Sequence, residues 1–133
     1  MYILDTDTLS NLFKKHPSTQ LIQKLASVSI DAQYTTSINI GEMVYGASRI
    51  PRGEALLEKI KKIIHPDQVL PFDYLSSFFY GKIRGSLEKK RTYVDPSDLR
   101  IASIALAHNM TVITRNVRDF LRVPDLKVEN WID

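Results

Sequence analysis

Cysteine is absent from the 133 residues, which excludes a thiol nucleophile, a Cys-ligated zinc site and a disulfide framework. Long apolar runs are absent too. No uncharged stretch approaches the ~20 residues of a membrane-spanning helix, and the apolar opening Tyr2–Leu4 stops at Asp5, far short of a signal-peptide core. A cytoplasmic protein with no membrane partner is the expectation. Repeats, low-complexity tracts and Pro/Gly-rich linkers are missing, as are a glycine-rich phosphate loop and the setting of a nucleophilic serine. Charge of one sign is barely in excess, with 18 basic against 15 acidic residues and a net charge of +3. That excess alone does not argue nucleic-acid binding. The basic residues do cluster: Lys82, Arg84, Lys89, Lys90 and Arg91 in one segment, Arg115, Arg118 and Arg122 in another. Either cluster reads as a solvated helix face or as a phosphate-contacting surface.

What remains is the composition of an ordinary globular protein, 44% hydrophobic and 25% charged. The length suits a single domain over residues 1–133, able to bury roughly two-thirds of its unfolded surface without a structural staple. Tyr2–Leu4 reads as a short buried strand. Helices are expected from about Thr8 to Lys15, and after a Ser18 cap to about Ala26. The Tyr- and Thr-rich Gln33–Ser37 reads as a strand, followed by helices over Ile38–Ser48 and Gly53–Ile64. Gln68–Phe72 is a further strand, and Asp73 opens a long amphipathic helix to about Lys90. Asp95-Pro96-Ser97-Asp98 is a strong helix start, with a cap, a proline at the first position and an acid at the third. That helix runs to His108-Asn109. Strand Thr111–Thr114, a helical turn Asn116–Phe120 and strand Leu126–Glu129 complete the chain. Short apolar strands alternating with helices predict an α/β fold, a central, mostly parallel sheet covered on both faces. Ligands of such sheets bind outside the carboxyl ends of the strands.

Acidic residues stand where strands end and helices begin: Asp5 with Asp7, Glu42, Asp98 and Asp119. Each has a structural explanation. Asp7 or Thr6 can cap the first helix, and Asp98 and Asp119 can sit in first turns favoured by the helix dipole. Asp5, directly after a buried strand, is harder to explain that way. Glu42 shares a helix face with Ile38, Tyr45 and Gly46 and has no basic residue at i±3 or i±4, so its partner must come from elsewhere. Carboxylates converging on one cleft repel unless a cation neutralises them. Oxygen donors without Cys or a His pair select Mg²⁺ or Mn²⁺ over zinc. Such a site lowers the pKa of a bound water and polarises phosphoryl oxygens, which points to phosphodiester hydrolysis.

Four segments in register resemble the PIN-domain family, and specifically the VapC-type toxins of toxin–antitoxin modules. They are Tyr2-Ile-Leu-Asp5-Thr-Asp7-Thr-Leu-Ser10, Ser37-Ile-Asn-Ile-Gly-Glu42-Met-Val-Tyr-Gly46-Ala47, Pro96-Ser-Asp98-Leu-Arg-Ile-Ala102 and Val112-Ile-Thr114-Arg-Asn116-Val-Arg-Asp119-Phe120. The ending, Val123-Pro-Asp-Leu126 through Val128-Glu-Asn-Trp131, is similar as well. The resemblance implies a three-layer α/β/α fold and a magnesium-dependent endoribonuclease, with Mn²⁺ as a substitute. It places the family's acids on Asp5, Glu42 and Asp98, which would hold the metal. A fourth catalytic position, often Asp, falls on Asn116, with Asp119 one turn later. Asp7 stands where the family more often has Asn. Thr6, Asp7 and Thr114 are expected to orient the acids, and Arg115 or Lys89, Lys90 and Arg91 to clamp the RNA backbone. The resemblance further implies a transfer or ribosomal RNA substrate, a homodimer and a cognate VapB-type antitoxin.

Two other readings fit some of these residues. Ile3-Leu-Asp5-Thr-Asp7-Thr8 also fits the opening of haloacid-dehalogenase-type phosphatases, but no late Asp pair follows Thr114. A non-catalytic scaffold would be expected to have lost an acid, and Asp5, Glu42 and Asp98 are all present. His16, His65 and His108 lie near expected helix ends, where a cap or exposed site is the simpler role. Phe78, Phe79 and Tyr80 on the long helix fit a core or dimer surface.

Overall fold

The structure is a computed structural model that describes all 133 residues. Its elements follow in the order β1 (Tyr2–Leu4), α1 (Thr6–Leu12), α2 (Thr19–Ser27), β2 (Gln33–Thr36), α3 (Ser37–Ser48), α4 (Gly53–Ile63), β3 (Val69–Leu70), α5 (Tyr74–Lys89), α6 (Pro96–Ala107), β4 (Thr111–Ile113), α7 (Val117–Phe120) and β5 (Val128–Glu129). The five strands form one sheet in the order β3-β2-β1-β4-β5, and every pairing is parallel. The expected α/β class therefore holds, and the sheet is wholly parallel.

Successive side chains of a strand point to opposite faces, and β1 and β4 show why there are three layers. Ile3 and Val112 join a buried cluster with Leu99, Ile101, Ile104 and Phe120, on the α5–α6 side. Leu4 and Ile113 face the other way, onto Leu9, Leu21, Met43, Ile60 and Trp131 from α1–α4 and the chain's end. Helices thus cover both faces. The chain leaves β1 toward β2 on one side, while β4 joins it on the other. The carboxyl ends of β1 and β4 are therefore a topological switch point, where a crevice opens between diverging connections.

Local chemistry sets the helix starts. Ser18 Oγ accepts from the Leu21 amide at 3.3 Å, Asp73 Oδ1 from Ser76 at 3.0 Å and Asp95 Oδ1 from Ser97 at 2.9 Å, each capping the helix it precedes. Other boundaries differ from expectation. Helix α1 covers Thr6–Leu12 rather than Thr8–Lys15, because it starts directly off the extended Asp5 that ends β1. The strand expected over Gln68–Phe72 shrinks to Val69–Leu70. Gln68 closes a 3₁₀ turn, and Pro71 has no amide to donate. The last strand is Val128–Glu129 rather than Leu126–Glu129.

Candidate active site

Strand β1 delivers Asp5 to the switch point, and its amide still donates to Ile113 O at 2.9 Å, so the carboxylate is fixed at the end of the sheet. Asp5 is 6% exposed. It stands at the N-cap position of α1 but its side chain makes no capping bond: Oδ1 accepts from Asn39 Nδ2 and Oδ2 from Thr114 Oγ1, both at 2.8 Å. Burial pushes its pKa up to about 6; Asp7 adds to the rise, while the bonds from Thr114 and Asn39 oppose it.

Glu42 comes from α3, and its partner is indeed non-local. Thr6 Oγ1, at the start of α1, donates to Glu42 Oε1 at 2.8 Å. Asp98 sits in the first turn of α6. Burial, then the charges of Asp5, Asp95, Glu42 and Asp119, push its pKa up to about 7. Burial leads the rise and the negative charges of its neighbours add to it, against the helix dipole, which favours an anion there. Asp7 does not cap α1. Its carboxylate accepts from the Arg115 amide at 3.3 and 3.2 Å and lies within 3.4 Å of Thr114 Oγ1, tying α1 to the end of β4. Thr114 Oγ1 also accepts from the Asn116 amide at 3.0 Å.

Asp5, Thr6, Asp7, Glu42, Asp98, Arg115 and Asn116 thus share the wall of one cleft of about 450 Å³, with Ser10, Asn11 and Lys14 and without a hydrophobic residue. Asp119 is not part of that wall. It pairs at 3.6 Å with Arg122, just past the end of its short helix, and its charge is felt at Asp98. Lys89, Lys90 and Arg91 are exposed at the end of α5 and do not line the cleft either. Not foreseen from the sequence were Ser10 and Asn11, on α1, Lys14, just beyond its end, and Asn39, wholly buried beneath the acids.

The donor set is all oxygen, acidic and partly desolvated, and it fits a hard divalent cation. No three acidic or histidine side chains are already gathered at ligating distance around one point. A cation here would be held partly through water, as Mg²⁺ commonly is, with one or two direct carboxylates.

The sequence model of the PIN domain family matches residues 2–126. The chain is 32% identical to "Ribonuclease VapC2" of Rickettsia felis over 98% of both chains. It is 31% identical to "tRNA(fMet)-specific endonuclease VapC" of Salmonella typhimurium, over 98% of this chain and 97% of that protein. Among solved structures, it superposes on a chain of the Rickettsia felis VapBC2 complex, bound to a promoter DNA fragment, with a TM-score of 0.87 at 31% identity over 98% of each chain. FitAcB from Neisseria gonorrhoeae gives 0.88 at 26% identity, covering 98% of this chain and 97% of that one.

Proposed function

The chain belongs to the PIN-domain family, in its VapC-type branch, and from that premise we propose that it is a magnesium-dependent endoribonuclease acting as the toxin of a toxin–antitoxin module. One observation carries the reading: Asp5, Glu42 and Asp98, from three different elements, face one cleft with no hydrophobic lining, at the carboxyl ends of β1 and β4. Family membership sets aside the phosphatase reading.

Asp5, Glu42 and Asp98 would hold the metal, Mg²⁺ or Mn²⁺. Bound there, it supplies a water of lowered pKa and polarisation of a phosphoryl oxygen for hydrolysis of the phosphodiester bond. The protein's own part is positional and electrostatic. Thr114 and Asn39 hold Asp5 ionised and in one orientation, Thr6 holds Glu42, and Asp7 pins the Arg115 backbone. Arg115 and Lys14, the two cationic residues of the wall, would contact phosphates of the RNA backbone. Asn116 offers an uncharged carbonyl oxygen where a fourth acid would strengthen a second metal. Lys89, Lys90 and Arg91 extend the electrostatic footprint beyond the cleft.

The substrate is a structured RNA, transfer or ribosomal, by analogy with the relative named as a tRNA(fMet)-specific endonuclease. A VapB-type antitoxin is the proposed partner, because the structural neighbours are toxin chains of such complexes. The working form is a homodimer in the cytoplasm; no helix is long and apolar enough to cross a membrane. The test is incubation with total transfer and ribosomal RNA in Mg²⁺ or EDTA, beside Asp5→Asn. Discrete fragments requiring both metal and Asp5 are expected. Intact RNA throughout, with no acid-dependent Mn²⁺ binding, overturns the reading.

A further inference from the structure

Asn39 lies three residues before Glu42 on α3 and is 0% exposed. A buried amide wholly enclosed in protein must have its donors and acceptor met by protein groups, and here the partners leave one arrangement. Thr36 Oγ1 donates to Asn39 Oδ1 at 2.6 Å, and the Asn39 backbone amide donates back to the same hydroxyl oxygen at 3.2 Å. The amide oxygen is thereby committed to Thr36, and both Nδ2 hydrogens point the other way. One goes to Asp5 Oδ1 at 2.8 Å, the other to Thr6 Oγ1 at 3.0 Å.

The second bond has a directional consequence. A threonine hydroxyl carries a single proton. Since Thr6 Oγ1 accepts from Asn39, its proton is left for Glu42 Oε1 at 2.8 Å. The chain of donation runs Thr36 to Asn39, then forks to Asp5 directly and to Glu42 through Thr6. Each step is fixed by the one before, and reversing any would set two donors or two acceptors against each other. A single buried amide therefore sets the orientation of two of the three acids, which come from elements far apart in sequence.

We propose that Asn39 is a positioning residue that couples Asp5 to Glu42 through Thr6, so that the two carboxylates present fixed oxygens to the metal as a unit. The inference rests on the metal-site reading above and adds a residue to it. Outer partners of this kind change metal affinity by about 10- to 100-fold when removed. The coupling predicts more than a loss. Removing Thr6's hydroxyl should cost less once Asn39 is gone, because the bond to Glu42 has then lost the contact that fixes its direction.

The experiment is Mn²⁺ binding to the RNA-free protein, followed by the paramagnetic resonance of free Mn²⁺. It compares wild type, Asn39→Ala, Thr6→Val, Thr6→Ser and the Asn39→Ala/Thr6→Val double variant, with circular dichroism and melting on the same samples. Asn39→Ala and Thr6→Val are expected to weaken Mn²⁺ binding by about 10-fold or more, and Thr6→Ser to restore it to within about threefold of wild type. In the Asn39→Ala background, Thr6→Val should cost several-fold less than it does in the wild-type protein. Thr6→Val and Thr6→Ser keep Asn39 in place, so the relay stays testable if Asn39→Ala does not fold. Wild-type binding that neither Asn39→Ala nor Thr6→Val disturbs overturns the coupling alone. So do Thr6→Ser as weak as Thr6→Val and effects that simply multiply. Absence of Mn²⁺ binding by the wild type overturns the metal-site reading and the coupling together.

Discussion

Thr114 and Asp5, 109 residues apart, are joined by a 2.8 Å hydrogen bond from the threonine hydroxyl to Asp5 Oδ2, in a setting where the carboxylate is almost wholly buried. The bond favours the ionised acid and partly offsets the burial that lifts Asp5 to about 6. Removing it must raise the pKa further. In metal-free Thr114→Val, the Asp5 carboxyl carbon followed by NMR should titrate with a midpoint above that of wild type. RNA cleavage by the variant should fall more steeply than that of wild type as the pH is lowered from 8 to 6. A midpoint equal to wild type would show that the hydroxyl bond does not tune Asp5.

Asp98 gives a stability prediction of definite sign. Its pKa is near 3.8 unfolded and is pushed up to about 7 in the fold, by burial first and then by Asp5. A group whose folded pKa is raised contributes stability that is complete below the unfolded value and is lost as pH rises through the folded one. The wild type should therefore lose stability between about pH 4 and pH 7 in EDTA on account of this carboxyl. Asp98→Asn cannot ionise, and Asp98 receives no side-chain hydrogen bond that the change would strand. The variant should melt higher than wild type at pH 8 in EDTA, with the gap closing toward pH 4. Millimolar Mg²⁺ should raise the wild type and leave the variant where it was. A variant that melts lower than wild type at pH 8 in EDTA would contradict the account.

Arg115 is held at both ends. Its amide donates to Asp7, and its guanidinium donates to Asp133 through Nε and Nη2, each at 3.2 Å. The fork that would take a phosphate thus already holds a carboxylate of the same chain, which itself titrates low because Asn130 and Arg115 donate to it. The pair is exposed, so its intrinsic strength is small. Arg115→Ala should raise KM for RNA several-fold with kcat little changed, and should flatten the dependence of log affinity on log salt by about 0.7–1. Asp133→Asn should act in the opposite direction on KM. Fluorescence anisotropy of labelled RNA across a salt series measures both. If Arg115→Ala leaves the salt slope intact, the arginine touches no phosphate.

Much of this site was legible because the signals are local. An apolar triplet broken by Asp5, and Asp-Pro two residues before Asp98, mark a strand end and a helix start without knowledge of the rest. Glu42, lacking a basic neighbour, announced a distant partner, and Thr6 supplies a hydroxyl. The misses have two physical origins. Asn39 within a helix carries no periodic signal, and its role exists only because Asp5 lies 34 residues away in sequence and 2.8 Å away in space. Lys14 lies beyond the end of α1 at Leu12, in a segment expected to continue the helix to Lys15, so its place on the cleft wall had no local signal. Asp119 was drawn in by the family pattern although Arg122, one turn on, offered a local partner, and that pair is what forms.

Gly53 links the fold to the site through the packing of α4 against α3. It opens α4 and is buried, and a Cβ placed there would fall on the carbonyl oxygen of Ala47 and come within 2.8 Å of its carbon. That carbonyl belongs to α3, the helix that carries Asn39 and Glu42. A backbone group inside a helix cannot swing aside as a side-chain tip can, so Gly53→Ala must move α4 away from α3. Overpacking of this kind costs about 1–3 kcal/mol, and the melting temperature should fall by roughly 4–12 °C for a chain of this size. The displacement should also be felt at Glu42, so Mn²⁺ affinity should drop modestly, by about two- to fivefold, in protein that is still folded at 25 °C. An unchanged melting temperature would mean that α3 and α4 separate freely. A lowered one with wild-type Mn²⁺ affinity would mean that α4 yields alone and α3 keeps its acids in place.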